Sequence, residues 1–200
     1  MEITHFSPPI EKALKEDLKI SSFTAIQSRC MPIIQEGKNL IGISETGSGK
    51  TLCFVLPLLD KIVGLPKRPI RLLIVTPTKE LSEQILTVVK KVARHTTLIS
   101  MSLYGGKSFS EQTQDLKNGV QILVACPGRL KDHIEKGTID LTGIDYLVLD
   151  EADQLMDMGF LPAITETIKA CHNRKQTLLF SATMSDEIQE LIKEFLPISE

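Results

Sequence analysis

The stretch GISETGSGKTL, Gly42–Leu52, decides the fold, because it joins an apolar run to a helical pattern through closely spaced glycines. The apolar run NLIGIS begins at Asn39, and the sequence KTLCFVLPLLDKIV opens as a helix. A strand, a glycine-rich loop and a helix in this order are the context of a phosphate-binding loop. The stretch departs from the G-x-x-x-x-G-K-[ST] pattern at its first position, where Ser44 replaces glycine. The alternative is an ordinary turn between a strand and a helix.

The residue types in this loop suit a triphosphate that carries Mg²⁺. Gly47 and Gly49 let backbone N–H groups converge on an anion, and the helix N-terminus adds its partial positive charge. Lys50 can reach the terminal phosphates, and Thr51 can offer its hydroxyl to the metal. The predicted nucleotide-binding residues of the loop are Ser44, Glu45, Thr46, Gly47, Ser48, Gly49, Lys50 and Thr51.

A second group of chemically active residues lies in LVLDEADQLMDMGF, which begins at Leu147. Asp150 and Glu151 directly follow an apolar strand pattern, and a buried carboxylate is costly unless it serves a cation or a donor. Asp150 is therefore a candidate Mg²⁺ ligand together with Thr51. Glu151 can orient and deprotonate an attacking water, so the predicted catalytic residues are Lys50, Asp150 and Glu151. The alternative is a pair of acidic residues at the start of a surface turn.

Six short apolar runs recur along the chain, separated by stretches with helical period. The runs are too short for isolated helices, and most are rich in leucine or β-branched residues, which indicates strands. Strands that alternate with helices predict an α/β fold with a mainly parallel sheet and helices on both faces. The runs are NLIGIS from Asn39, IRLLIVT from Ile70, LISMSLY from Leu98, VQILVAC from Val120, DYLVLD from Asp145 and QTLLFSA from Gln176.

Helical patterns can be assigned to four segments. Two short helices are expected near the N-terminus, at roughly Pro9–Leu18 and Thr24–Gln35, from their residue pattern. Ser185 is a plausible N-cap for the last helix, with acidic residues in its first turn. Apolar positions predict one buried face on each of the other two helices. These faces comprise Leu81, Ile85, Val88 and Val92 on one helix, and Ile188, Leu191, Ile192 and Phe195 on the last.

The composition is that of a single domain with an aliphatic core. Of the 200 residues 42% are hydrophobic but only 4% aromatic, which suits a parallel sheet of Val, Ile and Leu. The four cysteines are far apart and form no Cys/His cluster, so reduced thiols in an intracellular protein, cytoplasmic or nuclear, are expected. The N-terminus has no apolar signal segment, and no apolar run approaches the roughly 20 residues of a membrane span. We expect a monomer that does not bind a membrane.

Charge is distributed unevenly along the chain. The segment Lys61–Lys131 contains 12 Lys and Arg against 4 Asp and Glu, whereas the whole chain has a net charge of -2. A basic middle segment indicates a face that binds a polyanion, and the alternative is a solvated surface where charges happen to cluster.

These motifs, taken together, resemble those of DEAD-box ATP-dependent RNA helicases. The resemblance covers about Ile20–Thr183, and the motifs occur in the order typical of that family. The matching motifs are FTAIQ ending at Gln27, TPTKELSEQ from Thr76, YGG at Tyr104–Gly106, CPGRL at Cys126–Leu130, DEAD at Asp150–Asp153 with the flanking LMDMGF, and SAT at Ser181–Thr183.

The resemblance implies roles for residues outside the phosphate loop. Gln27 would hydrogen-bond the adenine edge. Ser181 and Thr183 would bond to the DEAD segment, notably Asp153, and couple hydrolysis to RNA release. Residues of the basic segment would lie along the RNA backbone in contacts independent of sequence, since phosphates carry no base identity. These residues are Pro77, Thr78, Lys79, Gly105, Gly106, Gly128 and Arg129.

The implied fold is a RecA-like P-loop NTPase domain, the first of two in such a helicase. Residues 1–38 would form a helical segment with the adenine-reading motif, and residues 39–200 the RecA-like domain. ATP, Mg²⁺, RNA and a second RecA-like domain, absent from this chain, would be its cofactors and partners. Hydrolysis would be coupled to local RNA unwinding, and the 200-residue piece by itself would be poorly active because it lacks arginine fingers.

Two other functions remain open. One is a non-enzymatic RNA-binding or scaffolding module with a weak nucleotide pocket, which the presence of Lys50, Thr51, Asp150 and Glu151 disfavours. The other is a DNA translocase of the wider helicase superfamily, which the DEAD and SAT motifs disfavour.

Overall fold

The computed structural model describes residues 6–45, 47–66 and 69–196, and within these ranges the chain forms one six-stranded sheet. All strand pairs are parallel. Each strand lies inside one of the six apolar runs, so the predicted fold class is confirmed. The strands are β1 Leu40–Ile43, β2 Leu72–Val75, β3 Ser100–Leu103, β4 Ile122–Ala125, β5 Tyr146–Leu149 and β6 Gln176–Ser181.

Helices connect the strands and precede the first of them. A π-helical turn, Ala13–Asp17, continues the first helix, so the predicted Pro9–Leu18 helix is not a regular α-helix. The α-helices are α1 Pro8–Lys12, α2 Ala25–Gln35, α3 Lys50–Ile62, α4 Lys79–Val92, α5 Phe109–Asn118, α6 Pro127–Glu135, α7 Ala152–Asp157, α8 Leu161–Ala170 and α9 Asp186–Phe195.

The strand order β1-β6-β5-β2-β4-β3 divides the sheet into two halves. In open parallel sheets, ligands bind outside the carboxyl ends of the strands, near the point where the order reverses. The phosphate loop, the DEAD segment and the SAT segment follow β1, β5 and β6, which are adjacent. The segments predicted to bind RNA follow β2, β4 and β3, which form the other half. The strand order therefore places the segments predicted to bind nucleotide beside the predicted RNA face.

Each face of the sheet is covered by its own apolar core. Alternate residues of one strand belong to different cores, as Leu72 and Ile74 pack on one side and Leu73 and Val75 on the other. Helices α1 to α4 cover the first side, and residues of α6 to α9 cover the second. Burial on both faces explains why the strands read as continuous apolar runs.

Helix α4 shows where the apolar periodicity misplaced a buried face. Ile85 and Val92 are buried as predicted, but Leu81 and Val88 are half-buried. The buried face instead includes Ser82, whose hydroxyl donates to the Val124 carbonyl oxygen. In α9 the buried residues are Ile188 and Leu191, and the Ser185 side chain caps the helix by accepting from the Ile188 N–H, as predicted.

Candidate active site and nucleic-acid interface

The loop after β1 has the backbone geometry of an anion cradle. Gly47 and Gly49 both have positive φ, 81° and 92°, where a side chain would be strained. A Cβ on Gly49 would also lie 2.7 Å from the Gln27 amide nitrogen. Gly49 is the N-cap of α3, so the first amides of that helix are free for an anion. Thr46, predicted to bind nucleotide, lies outside the described residues.

Two serines form hydrogen bonds within the loop. The hydroxyls of Ser44 and Ser48 are 2.9 Å apart, and the Ser48 hydroxyl donates to the Glu45 carbonyl oxygen. The backbone nitrogen of Ser44 donates to the Ser181 carbonyl oxygen at 3.1 Å, which joins the loop to the end of β6. The Glu45 side chain is exposed. The serine at the first motif position thus contributes a hydroxyl contact that glycine would lack.

Lys50 is held inside the loop. Lys50 is the first residue of α3 and is only 6% exposed. The ammonium donates to the Ser44 carbonyl oxygen at 2.8 Å. A buried ammonium with one carbonyl partner has two further N–H groups, which suit phosphate oxygens. Thr51 follows it on the helix and is half-buried.

Asp150 follows β5 as a buried acid. It is 5% exposed, and burial, reinforced by the neighbouring Glu151 charge, raises its pKa to about 6. Lys50 and the Glu151 N–H, which donates to Asp150 Oδ1 at 3.1 Å, act in the opposite direction. A desolvated carboxylate of this kind is stabilised by a cation, so its surroundings fit Mg²⁺.

Glu151 adopts a left-handed backbone conformation, with φ 55° and ψ 51°, and precedes α7. It is 8% exposed, and its Oε2 accepts from the Gln154 side chain at 3.1 Å. Positive φ is strained for a glutamate, and residues held in strained backbone conformations cluster at functional sites. The other carboxylate oxygen accepts no hydrogen bond from the described residues and is available to a water.

These groups surround one crevice of ≈ 430 Å³. The crevice is lined both by residues that the motifs predicted and by residues that they did not. Leu81 and Val88, the residues that the α4 periodicity placed in the core, contribute to its wall. The lining residues are Gly47, Gly49, Lys50, Thr51, Leu81, Gln84, Ile85, Val88, Asp150, Glu151 and Gln154.

Gln27 contacts the phosphate loop from helix α2. Its Oε1 accepts from the Thr24 N–H at 2.9 Å, and its Nε2 donates to the Gly49 carbonyl oxygen at 3.2 Å. Thr24 and Gln27 form a capping box at the start of α2, and the Thr24 hydroxyl donates to the Ser48 carbonyl oxygen. One amide N–H and one lone pair of Gln27 remain for a ligand. Its adenine contact stays a prediction.

Asp153 connects the DEAD segment to the SAT segment. The Asp153 N–H donates to the Ser181 hydroxyl at 3.2 Å. Its Oδ2 accepts from the backbone nitrogens of Ala182 and Thr183, each at 3.2 Å. The ends of β5 and β6 are therefore joined by charge-assisted hydrogen bonds.

The predicted RNA residues lie at the carboxyl ends of β2, β3 and β4. Thr78 caps α4 by accepting from the Leu81 N–H, and Lys79 beside it is exposed, whereas Pro77 is buried. The backbone of the three predicted glycines is accessible, since a Cβ added at any of them would have no atom beyond those of the neighbouring backbone within 4 Å. These glycines are Gly105, Gly106 and Gly128.

Arg129 is less available than the sequence indicated. Its side chain is 14% exposed, and its Nη1 donates to the Lys107 carbonyl oxygen at 3.0 Å and to Gln112 Oε1 at 2.6 Å. Lys107, which the motifs did not single out, has a half-exposed ammonium over the Tyr104 ring at 4.6 Å. Its position directly after the glycine pair was the available sequence signal.

Residues 24–191 match the family model described as DEAD/DEAH box helicase. Among curated proteins, the chain is 41% identical over 192 residues to DEAD-box ATP-dependent RNA helicase 28 of Arabidopsis thaliana, covering 94% of this chain and 24% of that protein. It is 38% identical over 183 residues to RNA helicase CrhR of Synechocystis, covering 92% and 37%. The chain thus spans well under half the length of these relatives.

Solved structures give the same picture of the fold. A DEAD box protein from the hyperthermophile Methanococcus jannaschii superimposes with a TM-score of 0.91 at 34% identity, covering 98% of this chain and 53% of that one. A hypothetical ATP-dependent RNA helicase from Sulfolobus tokodaii gives 0.89 at 35%, covering 96% and 55%. The sheet is therefore that of a RecA-like domain. Among the described residues, no helix is both long enough and apolar enough to cross a membrane.

Proposed function

The chain belongs to the DEAD/DEAH box helicase family, and we propose that it is the ATP-binding, first RecA-like domain of an ATP-dependent RNA helicase. The observation that carries this proposal is that Lys50 and Asp150 line one crevice whose floor is a glycine loop. A buried cation donor, a desolvated acid and a helix N-terminus together suit a magnesium-bound triphosphate.

The chemistry proposed for this crevice is attack of water on the γ-phosphate of ATP. Amides of residues 47–51 and the Lys50 ammonium hold the phosphates, while Thr51 and Asp150 would hold the Mg²⁺. The metal, when bound, neutralises charge on the phosphate oxygens. Glu151 orients the water and accepts its proton, for which it has an unoccupied carboxylate oxygen. Catalysis of this kind rests on positioning and charge stabilisation.

RNA would bind across the other half of the same sheet edge. Gly105, Gly106 and Gly128 allow close approach of a phosphate backbone, and Lys79 supplies charge without reading bases. Asp153 hydrogen-bonds the SAT segment, and we assign it, with Ser181 and Thr183, the coupling of hydrolysis to RNA release. These contacts support local opening of RNA duplexes by the protein once a second RecA-like domain is joined.

The proposed organisation has a helical segment at residues 1–38, in which Gln27 reads adenine, and the RecA-like domain at 39–200. Ile10, Leu14 and Met31 of the first segment belong to the same apolar core as the buried residues of α3. The proposed partners are RNA and a second RecA-like domain, with the protein acting as a monomer inside the cell, in cytoplasm or nucleus. A scaffold with a weak nucleotide pocket is the alternative, and the buried Asp150 disfavours it.

A titration of the chain with a fluorescent ATP analogue and Mg²⁺ tests the proposal. We expect saturable binding that EDTA weakens and that Lys50→Ala abolishes, with Lys90→Ala as the control because Lys90 is exposed on α4. Binding that is indifferent to Mg²⁺ and to Lys50 would favour the scaffold. In the protein with both domains, stimulation of hydrolysis by RNA but not DNA would separate a helicase of this family from a DNA translocase.

A further inference from the structure

The turn at Gly105 and Gly106 is exposed to solvent, but both of its ends are held by side-chain hydrogen bonds. Both glycines are exposed, and Gly106 has a φ of +87°. A pair of glycines has no side chains with which to order itself and loses more conformational entropy on ordering than other residues. The carbonyl oxygens flanking the pair, those of Tyr104 and Lys107, accept hydrogen bonds from side chains of other elements.

Gln112 is at the centre of these anchors. It lies on α5 and is the buried residue of that helix, with an exposed fraction of 2%. Its Nε2 donates to the Tyr104 carbonyl oxygen at 3.1 Å, and its Oε1 accepts from Arg129 Nη1 at 2.6 Å. The same nitrogen of Arg129 donates to the Lys107 carbonyl oxygen at 3.0 Å. One buried amide therefore fixes the first end of the turn directly and the second through Arg129.

We propose that Gln112 is a positioning residue that pre-orders the Gly105–Gly106 turn for RNA phosphate, although it would not touch RNA itself. This inference rests on the proposed function, because it concerns how the same face binds RNA. Pre-ordering lowers the entropy that binding must offset, so its loss weakens affinity without removing a contact. The proposal also assigns Arg129 a structural role, since its guanidinium already donates hydrogen bonds to Lys107 and Gln112.

Salt dependence distinguishes this role from a phosphate contact. Each lost phosphate contact makes the negative slope of log K against log salt shallower by about 0.7 for single strands, whereas loss of a neutral positioning residue leaves the slope unchanged. We expect Gln112→Met to weaken binding of a 20-nucleotide oligouridine about tenfold, since the backbone freed in the turn must then be ordered when RNA binds. Gln114→Met is the matched control, because Gln114 is exposed on α5 and its side chain donates to Asn118 Oδ1 on the same helix.

A second readout needs no RNA. Amide hydrogen exchange in the peptide that contains the turn should accelerate in Gln112→Met and not in Gln114→Met. Gln112→Glu, which keeps the acceptor for Arg129 but loses the donor to Tyr104, should give an intermediate rate and serves if the methionine variant does not fold.

The outcomes separate the two proposals. Unchanged exchange in the Gln112 variants, or a negative salt slope that is shallower by about 0.7 in Gln112→Met, would overturn the positioning role. Failure of the unaltered chain to bind oligouridine even at low salt, with exchange changing as expected, would instead count against RNA binding by this face and so against the proposed function.

Discussion

The Oδ2 atom of Asp153 lies 3.2 Å from the backbone nitrogen and 3.4 Å from the hydroxyl of Thr183, although 30 residues separate them in the chain. The contact joins the segment that follows β5 to the segment that follows β6. Because Asp150 and Glu151 belong to the first of these segments, these hydrogen bonds connect the SAT segment to the crevice.

Removing this acceptor should destabilise the fold. Asp153→Ala leaves the N–H groups of Ala182 and Thr183 without their partner, and hydrogen bonds to charged groups are worth about 1.5–3 kcal/mol. We expect the free energy of unfolding in urea to fall by about that amount. Asp157→Ala on the same helix is the control, since Asp157 is exposed. Equal unfolding midpoints for the two variants would show that the Asp153 contacts contribute nothing.

Asp150 should oppose folding at neutral pH. Its folded-state pKa of about 6 is above the ordinary 3.8, so the folded state binds this proton more tightly than the unfolded state. The unfavourable contribution therefore grows as the pH rises from 4 through 6. Asp150→Asn should raise the free energy of unfolding by up to about 3 kcal/mol at pH 8 and by much less at pH 4.

Asp115→Asn on α5 provides the control for this measurement, because that side chain is exposed. Urea unfolding at both pH values gives the comparison. A gain from Asp150→Asn that is the same at pH 4 and pH 8 would mean that the charge of Asp150 is not its source. The same variant should lose Mg²⁺-dependent nucleotide binding despite its greater stability.

His133 should make the fold sensitive to mild acid. Its side chain is fully buried and stacks on Phe109, and burial, with the nearby Arg129 charge, holds its pKa below 6.5. The unfolded state takes up this proton first, so stability present above about 6.5 is lost as the pH falls. His133→Gln should flatten the decline in unfolding free energy from pH 7 to pH 5. His172→Gln, at an exposed position, should not.

Lys79 and Lys107 should each contribute one phosphate contact. Their ammonium groups lie over the same Tyr104 ring, at 5.4 Å and 4.6 Å from its centre. Each change to alanine is expected to make the negative slope of log K against log salt for oligouridine shallower by about 0.7, whereas Lys90→Ala leaves it unchanged. Affinity loss without a change of slope would mean that neither ammonium touches phosphate.

The sheet could be predicted from the sequence because burial on both faces makes every strand a continuous apolar run. The phosphate loop and the DEAD segment could be assigned from the sequence alone, since each predicted chemistry needs particular residues at fixed spacing. The Leu81 and Val88 positions were not, because apolar periodicity cannot distinguish a core from the wall of a crevice. Gln112 and the engagement of Arg129 depend on contacts between β3, α5 and α6, which no local pattern encodes.

The most direct measurement is a crystal of this chain soaked with a non-hydrolysable ATP analogue and Mg²⁺. The account predicts the triphosphate on the amides of residues 47–51, the Lys50 ammonium on its terminal phosphates, and the metal between Thr51 and Asp150. An analogue bound elsewhere, or a crevice left empty at saturating concentration, would contradict it.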